Sequence, residues 1–289
     1  MSRFLAPYFA IAILLLAGEA WGQDASHPAR WVTFWAGTLP IILSAPHGGR
    51  EAISGIPVRE GRGVAQFTTE RDSNTTELAE QIATTLGRQM GARPFVIVAR
   101  FERKYVDANR APSDAYEDPH ARPYYEAYHR ALEDACSAVR DRWGRGLLLD
   151  LHGQGAEKET IFRGTANGKS VAELERRFGR EAITGGQSIL GQLVLRGYKI
   201  APDFSSDAER RYTGGYTIRN YGSHRPTGID AIQLEFGTTL RDRRNLKRTA
   251  DDLAEAIAVF AKRYLPVAMK PQKSQSGTVE NHGVNGVVE

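Results

Sequence analysis

Two histidines and two carboxylates stand where this chain could do chemistry. His47 follows the apolar run Ile41-Ile42-Leu43, inside Ser44-Ala45-Pro46-His47-Gly48-Gly49. His152 closes Gly146-Leu147-Leu148-Leu149-Asp150-Leu151, and Glu235 ends Ala231-Ile232-Gln233-Leu234. Asp72 follows a long loop rich in Gly and Arg. Two histidines and a carboxylate are a standard three-ligand set for catalytic zinc, leaving the fourth position to water. A further carboxylate can then take the proton from that water. Each residue alone has a plainer reading: a loop histidine, an acid favouring a helix N-terminus, a glutamate paired with arginine. The set carries the reading, and its wide separation makes it no local motif such as two histidines one helical turn apart. Glycines adjoin both histidines, and the missing Cβ lets a substrate approach closely. Asp150 shares a strand face with His152, so it either orients a histidine or is a buried acid paired with arginine. Ser44 has no nucleophile elbow around it, which argues against a serine mechanism.

These residues need a scaffold, and the sequence alternates strand and helix patterns to supply one. Strands are predicted at 41–44, 95–99, 146–151 and 231–236, helices from Ser73 or Asn74 to Met90, over 124–143, and over 245–264. Leu78, Ile82 and Leu86 recur on one helical face, as do Leu132, Ala135 and Val139, and again Leu253, Ile257 and Phe260. Residues 170–196 look helical in two pieces. Such alternation predicts an α/β fold: a mixed, mostly parallel central sheet with helices on both faces. In such sheets ligands bind beyond the carboxyl ends of strands, and the four polar residues lie there or just after.

The chain has 289 residues, 41% hydrophobic and 25% charged, which suits a folded protein rather than a disordered one. Its net charge of +4 is mild and does not suggest nucleic-acid binding. A single cysteine, Cys136, excludes an internal disulfide and an all-cysteine metal site; its place in a helix reads as packing. The basic residues are lopsided, 30 Arg to 8 Lys, which is either a genome habit or a sign that some arginines recognise carboxylates. Residues 1–22 have the parts of a secretory signal peptide: Arg3, the apolar stretch Phe4 to Gly18, and Ala20-Trp21-Gly22. That stretch is short of a membrane span, and no cysteine stands at the cut for a lipid anchor. The expectation is a secreted or periplasmic protein with no membrane attachment after cleavage, a body over 31–266, and a disordered tail over 267–289 with His282 solvated.

Several motifs occur together in one order: Ser44 to Gly49, Asp72 six before Leu78, Arg103 with Val106-Asp107-Ala108-Asn109-Arg110, Tyr125 with Tyr128-His129, Leu149-Asp150-Leu151-His152, Gly214-Gly215-Tyr216 and Gln233-Leu234-Glu235. In this the chain resembles the N-formylglutamate amidohydrolase family over about residues 38–262. The resemblance implies a phosphorylase/hydrolase-like α/β fold, shared with zinc carboxypeptidases and cell-wall amidases. It implies Zn²⁺ held by His47, Asp72 and His152, with Glu77 competing with Asp72, and Glu235 as general base and then acid. Asn109-Arg110 resembles the pair with which zinc carboxypeptidases grip a substrate carboxylate; Arg103 and Arg219 are further candidates. The plainer reading of Arg110 is a salt bridge to Asp107 or Glu102. His129 either reaches the site or sits on its helix surface. The expected function is an exported zinc amidohydrolase acting on a small N-acyl amino acid or peptide. The family's formylglutamate enzyme of histidine breakdown is cytoplasmic, so the leader is a departure. Rival readings are a cell-wall amidase, disfavoured by the lack of a binding module, and an inactive ligand-binding protein, disfavoured by retention of all four polar residues.

Overall fold

A computed structural model describes residues 28–204 and 208–267. The expected signal peptide (1–22) and the tail from 268 with His282 lie outside the described residues; Val267 packs against the core edge. The strands are β1 (Val32–Trp35), β2 (Ile41–Ala45), β3 (Phe95–Ala99), β4 (Leu147–Gln154), β5 (Thr160–Gly164), β6 (Lys199–Ala201) and β7 (Asp230–Gly237). They form one sheet in the order β1-β3-β2-β4-β7-β5-β6. The pairs β3/β2, β2/β4, β4/β7 and β5/β6 are parallel, while β1 against β3 and β5 against β7 are antiparallel. The sheet is thus mixed and mostly parallel, as the alternation implies. The four central strands coincide with the four apolar runs. β1, β5 and β6 had no such signal: they are short outer strands, made strands by the neighbour they pair with rather than by composition.

The helices are α1 (Thr75–Met90), α2 (Pro112–Ala115), α3 (Arg122–Trp143), α4 (Ala172–Phe178), α5 (Glu181–Thr184), α6 (Ile189–Leu195), α7 (Tyr216–Tyr221) and α8 (Leu246–Tyr264). Residues 170–196 break into three α-helical pieces, not two, with Gly179 and Gly185 closing the first and second. Asn74 precedes α1 but does not cap it. It is left-handed, at φ 66 and ψ 10, and its side chain makes no cap bond. Its amide instead donates to the Arg241 carbonyl at 2.8 Å.

Alternation along the strands sorts the side chains into two layers. Ile41, Leu43, Val96, Val98, Leu147, Leu149, Leu151, Ile232 and Leu234 pack with α1, α6 and α8. Ile42, Phe95, Ile97, Leu148 and Ala231 pack with α3 and α7. Cys136 lies buried in that second layer. Parity then places Ser44, Asp150, His152, Gln233 and Glu235 on the α3 side, beyond its apolar residues. No helix among the described residues is long and apolar enough to cross a membrane.

Candidate active site

His47 sits two residues past β2, His152 is the sixth residue of β4, and Asp72 ends the loop before α1. That long loop is tied down from within. The buried Arg59 donates to the carbonyls of Thr68, Arg103 and Asp114, and Asp72 N–H donates to the His47 carbonyl at 3.1 Å.

The three side chains converge. His47 Nδ1 lies 3.1 Å from His152 Nδ1 and 3.3 Å from Asp72 Oδ2, and His152 Nδ1 lies 3.2 Å from the same oxygen. Ligand atoms about 2.0–2.1 Å from a tetrahedral metal stand roughly 3.3 Å apart, so the triangle has the size of a three-ligand face. All three residues are buried and form the metal-type cluster found among the described residues. Glu77, the competing carboxylate, pairs instead with Arg50 at 2.6 Å.

The far side of each imidazole explains why these atoms point inward. His47 Nε2 is 2.7 Å from Asp107 Oδ1, and His152 Nε2 is 2.8 Å from Asp150 Oδ2. A carboxylate accepting from Nε2–H leaves Nδ1 with a lone pair, the tautomer that metal ligands require. Two such lone pairs and a carboxylate oxygen meeting at one point need a positive charge between them, which is how the residues fit a metal ion. The field of the surrounding carboxylates favours positive charge there. Burial alone would lower the His152 pKa, yet Asp150 and Asp72 outweigh it and raise it well above the usual value. Burial would raise Asp72, but His152 and His47 hold it well below the carboxylate range. Asp107 is likewise held low, against its burial, by His47, Arg103 and Arg110.

Glu235 stands directly opposite His152 in the parallel β4/β7 register and is buried. Burial pushes its carboxyl up to about 7, with Asp72 adding and His152 opposing. Gln233 Nε2 donates to its Oε1 at 2.8 Å. A carboxyl poised near neutrality beside a metal-type cluster suits proton transfer.

The four residues read as substrate-binding are placed unequally. Arg103 Nε is 2.8 Å from Asp107 Oδ2 and its Nη1 is 3.8 Å from Asp72 Oδ1. Arg110 Nε is 3.8 Å from Asp107 Oδ2, and its Nη2 donates to the Gln66 carbonyl at 3.0 Å. The plainer reading of Arg110 therefore has support, through Asp107, whereas Glu102 pairs with Lys104. Asn109 is buried with its carboxamide committed. Its Oδ1 accepts from Thr217 N–H at 2.8 Å, and its Nδ2 lies 3.1 Å from His152 Nε2 and 3.4 Å from Gln233 Oε1. Arg219 is exposed and bonds its own turn, at the Gly214 carbonyl and Thr213 hydroxyl.

Several residues have other roles than their sequence suggested. A Cβ on Gly48 would meet Thr76 and Thr75, and one on Gly49 would meet the backbone of Arg100 and Phe101. These glycines admit the protein's own chain, not a substrate. Gly153 is flat because the Arg241 guanidinium lies over it, 2.5 Å from where a Cβ would be. Its N–H donates to Asp72 Oδ2 at 3.0 Å. Arg241 itself donates to the carbonyls of Phe236 and Ser73; nothing in its sequence context marks it. Asp107 was visible only as a partner for arginine, because the His47 that it holds lies 60 residues away. Asp150 takes the orienting role, and Ser44 Oγ donates to it at 2.5 Å. His129 neither joins the cluster nor points to solvent; it bonds the Ala108 carbonyl and Tyr221 hydroxyl.

Fold and site together describe an α/β protein with a three-ligand metal-type cluster beside a buried carboxylate, the layout of a metal-dependent hydrolase. The N-formylglutamate amidohydrolase family model matches residues 119–240, a stretch that holds His152 and Glu235. An N-formylglutamate deformylase of Pseudomonas putida is 22% identical over 277 residues, covering 81% of this chain and 94% of the relative. A solved N-formylglutamate amidohydrolase from Ralstonia eutropha superposes with a TM-score of 0.55 at 18% identity, covering 81% of this chain and 97% of that one. A gene product of Agrobacterium tumefaciens superposes with a TM-score of 0.52 at 15% identity, covering 80% and 95%. The family match and the curated relative make this chain similar to the N-formylglutamate amidohydrolases, and the two solved structures share its fold.

Proposed function

We propose that this chain is an exported zinc-dependent amidohydrolase that cleaves the amide bond of an N-acyl amino acid or small peptide. The observation that carries it is the triangle of His47 Nδ1, His152 Nδ1 and Asp72 Oδ2, with edges of 3.1–3.3 Å, beside the buried Glu235. The ligand set favours zinc, which when bound would lower the pKa of water toward about 7 and polarise a carbonyl. Glu235 takes the proton from the attacking water and returns it to the leaving amine. Asp107 and Asp150 keep both imidazoles turned inward throughout. Arg103, held between Asp72 and Asp107, adds a positive charge beside the cluster that favours the developing oxyanion. Arg110 offers its guanidinium to the carboxylate of an amino-acid substrate. Export rests on the leader pattern of residues 1–22.

The test is a panel of N-formyl, N-acetyl and longer N-acyl amino acids, assayed with the metal-loaded mature protein before and after chelation. Expected are turnover of at least one member, its loss on chelation, and its return with zinc. Full turnover after verified metal removal overturns the mechanism. Cleavage of muropeptide with no turnover of the panel replaces the substrate by a cell-wall amide. Cell fractionation, with and without residues 1–22, decides the export.

A further inference from the structure

The segment Asp107-Ala108-Asn109-Arg110 reaches both histidines of the cluster. Asp107 Oδ1 is 2.7 Å from His47 Nε2, and Asn109 Nδ2 is 3.1 Å from His152 Nε2. The segment lies in neither helix nor strand. A loop that must aim two imidazoles needs its own backbone held, and the place to look is where its peptide groups bond.

Its three consecutive carbonyls are held by three different groups. Ala108 O lies 3.0 Å from His129 Nε2, Asn109 O accepts from Tyr216 N–H at 3.2 Å, and Arg110 O accepts from the Tyr125 hydroxyl at 2.9 Å. His129 is in turn fixed. Its Nδ1 is 2.9 Å from the Tyr221 hydroxyl, and its ring centroid is 4.2 Å from that of Tyr125. The Tyr221 ring lies parallel to it, 5.9 Å away with an interplanar angle of 11°. Burial pushes the His129 pKa down to about 4, so the ring is neutral at pH 7. A neutral imidazole has one donor and one acceptor. The carbonyl claims the Nε2–H, and the tyrosine hydroxyl donates to Nδ1.

We infer that His129 is a positioning residue of the metal site: by holding the Ala108 carbonyl it sets the 107–110 segment, and so the angle at which His47 and His152 present their Nδ1 atoms. It acts through Asp107, which accepts from His47 Nε2–H, and through Asn109, whose carboxamide packs against the His152 ring without a hydrogen bond to it, and makes no contact with the ligands. The inference rests on the metal reading above and adds a residue that the ligand set does not contain.

Glutamine places its amide nitrogen near the position of histidine Nε2, and asparagine places its own near Nδ1. His129→Gln therefore keeps the Ala108 bond and His129→Asn loses it, while both lose the ring. Zinc affinity of the full mature chain is measured by competition with a chromophoric chelator, well below each variant's Tm. Expected is a loss of about tenfold for His129→Asn and within about threefold for His129→Gln, the range of outer partners of metal ligands. In the steady state kcat should fall for His129→Asn with KM little changed. Equal loss in both variants, or wild-type affinity in both despite a lower Tm, overturns the inference, since a packing role alone predicts either. Should His129→Asn not fold, Tyr125→Phe keeps the ring and removes the hydroxyl that holds the Arg110 carbonyl and also meets Tyr216. A severalfold drop in zinc affinity there supports the clamp, and wild-type affinity overturns it. A wild-type chain that takes up no zinc overturns the metal reading and this inference with it.

Discussion

The two faces of the central strands differ in kind, although they alternate residue by residue on the same chain. On the α1/α8 side, Leu147, Leu149 and Leu151 of β4 lie beside Ile232 and Leu234 of β7, aliphatic from one end to the other. On the α3 side the same strands begin apolar, with Leu148 and Ala231, and then turn polar: Asp150 and His152 on β4, Gln233 and Glu235 on β7. One face is a slab that resists deformation; the other carries groups whose function depends on their aim. The difference teaches how a buried polar site is kept rigid. Every second residue of the strand is anchored in close-packed hydrocarbon, which costs little conformational freedom and fixes the residues between. The polar side chains of the strands on this face then meet partners, as Ser44 does with Asp150 and Gln233 with Glu235.

Substitutions on the two faces should separate stability from chemistry. The largest effect falls on the polar face: Glu235→Gln should lower turnover by about 10²–10⁴-fold with unchanged zinc uptake and Tm, as loss of a general base does. Steady-state kinetics beside a chelator titration check both halves, and undiminished kcat would remove Glu235 from the mechanism. On the aliphatic face, Leu149→Ala should cost about 3 kcal/mol of stability and leave kcat of the folded, metal-loaded protein near that of wild type. A denaturant titration reads the first and an assay well below Tm the second; a large kcat loss would show that the faces are not separable. Asp150→Asn lies between the faces in effect. Weakening the carboxylate on His152 should reduce zinc affinity by about 10–100-fold, measured by chelator competition, with a smaller change in Tm than Leu149→Ala.

The smallest effect concerns pH. His129 has a folded pKa of about 4, below its ordinary 6.5, because burial disfavours the charged ring. The unfolded state therefore binds the extra proton first. The stability tied to neutral His129 is complete above pH 6.5 and is lost as the pH falls from there toward 4, by about 2 kcal/mol at pH 5. Denaturation at pH 7.5 and pH 5 should show that loss in wild type and less of it in His129→Gln. Equal losses would mean that His129 does not stay neutral when folded.

Legibility followed the range of the interactions. The four central strands announce themselves because each is a run of apolar residues buried on both sides. The helices that flank them show in the three- and four-residue spacing of Leu78, Ile82 and Leu86. β5 could not be seen, since Thr160–Gly164 includes Arg163 and is a strand only through pairing with β7 and β6. The residue types of the cluster were readable, but the choice between Asp72 and Glu77 was not, because both lie near the start of α1. The fold separates them by turning one toward His47 and the other toward Arg50. Asn109 was read as a binder through a resemblance and Arg219 through its place after the Gly214-Gly215 turn; the structure bonds the Asn109 carboxamide within the protein and the Arg219 Nε and Nη2 to that turn. Arg241 left no signal at all, and His129 showed only as a helix histidine with two open readings, since what they hold, Ser73 and Ala108, is backbone.

By itself the sequence determined the elements and the chemical alphabet. Apolar periodicity sets strand and helix, because burial of side chains at period 2 or 3.6 depends on near neighbours. The presence of His47, Asp72, His152 and Glu235 sets which reactions are open. Only the tertiary structure decided which atoms of those residues meet. His47 and His152 are 105 residues apart, and their Nδ1 atoms face each other because Asp107 and Asp150, each brought in by the fold, accept a hydrogen bond on the opposite nitrogen. The tautomer and aim of an imidazole depend on partners a few ångströms away in space, and those partners are unrelated to distance along the chain.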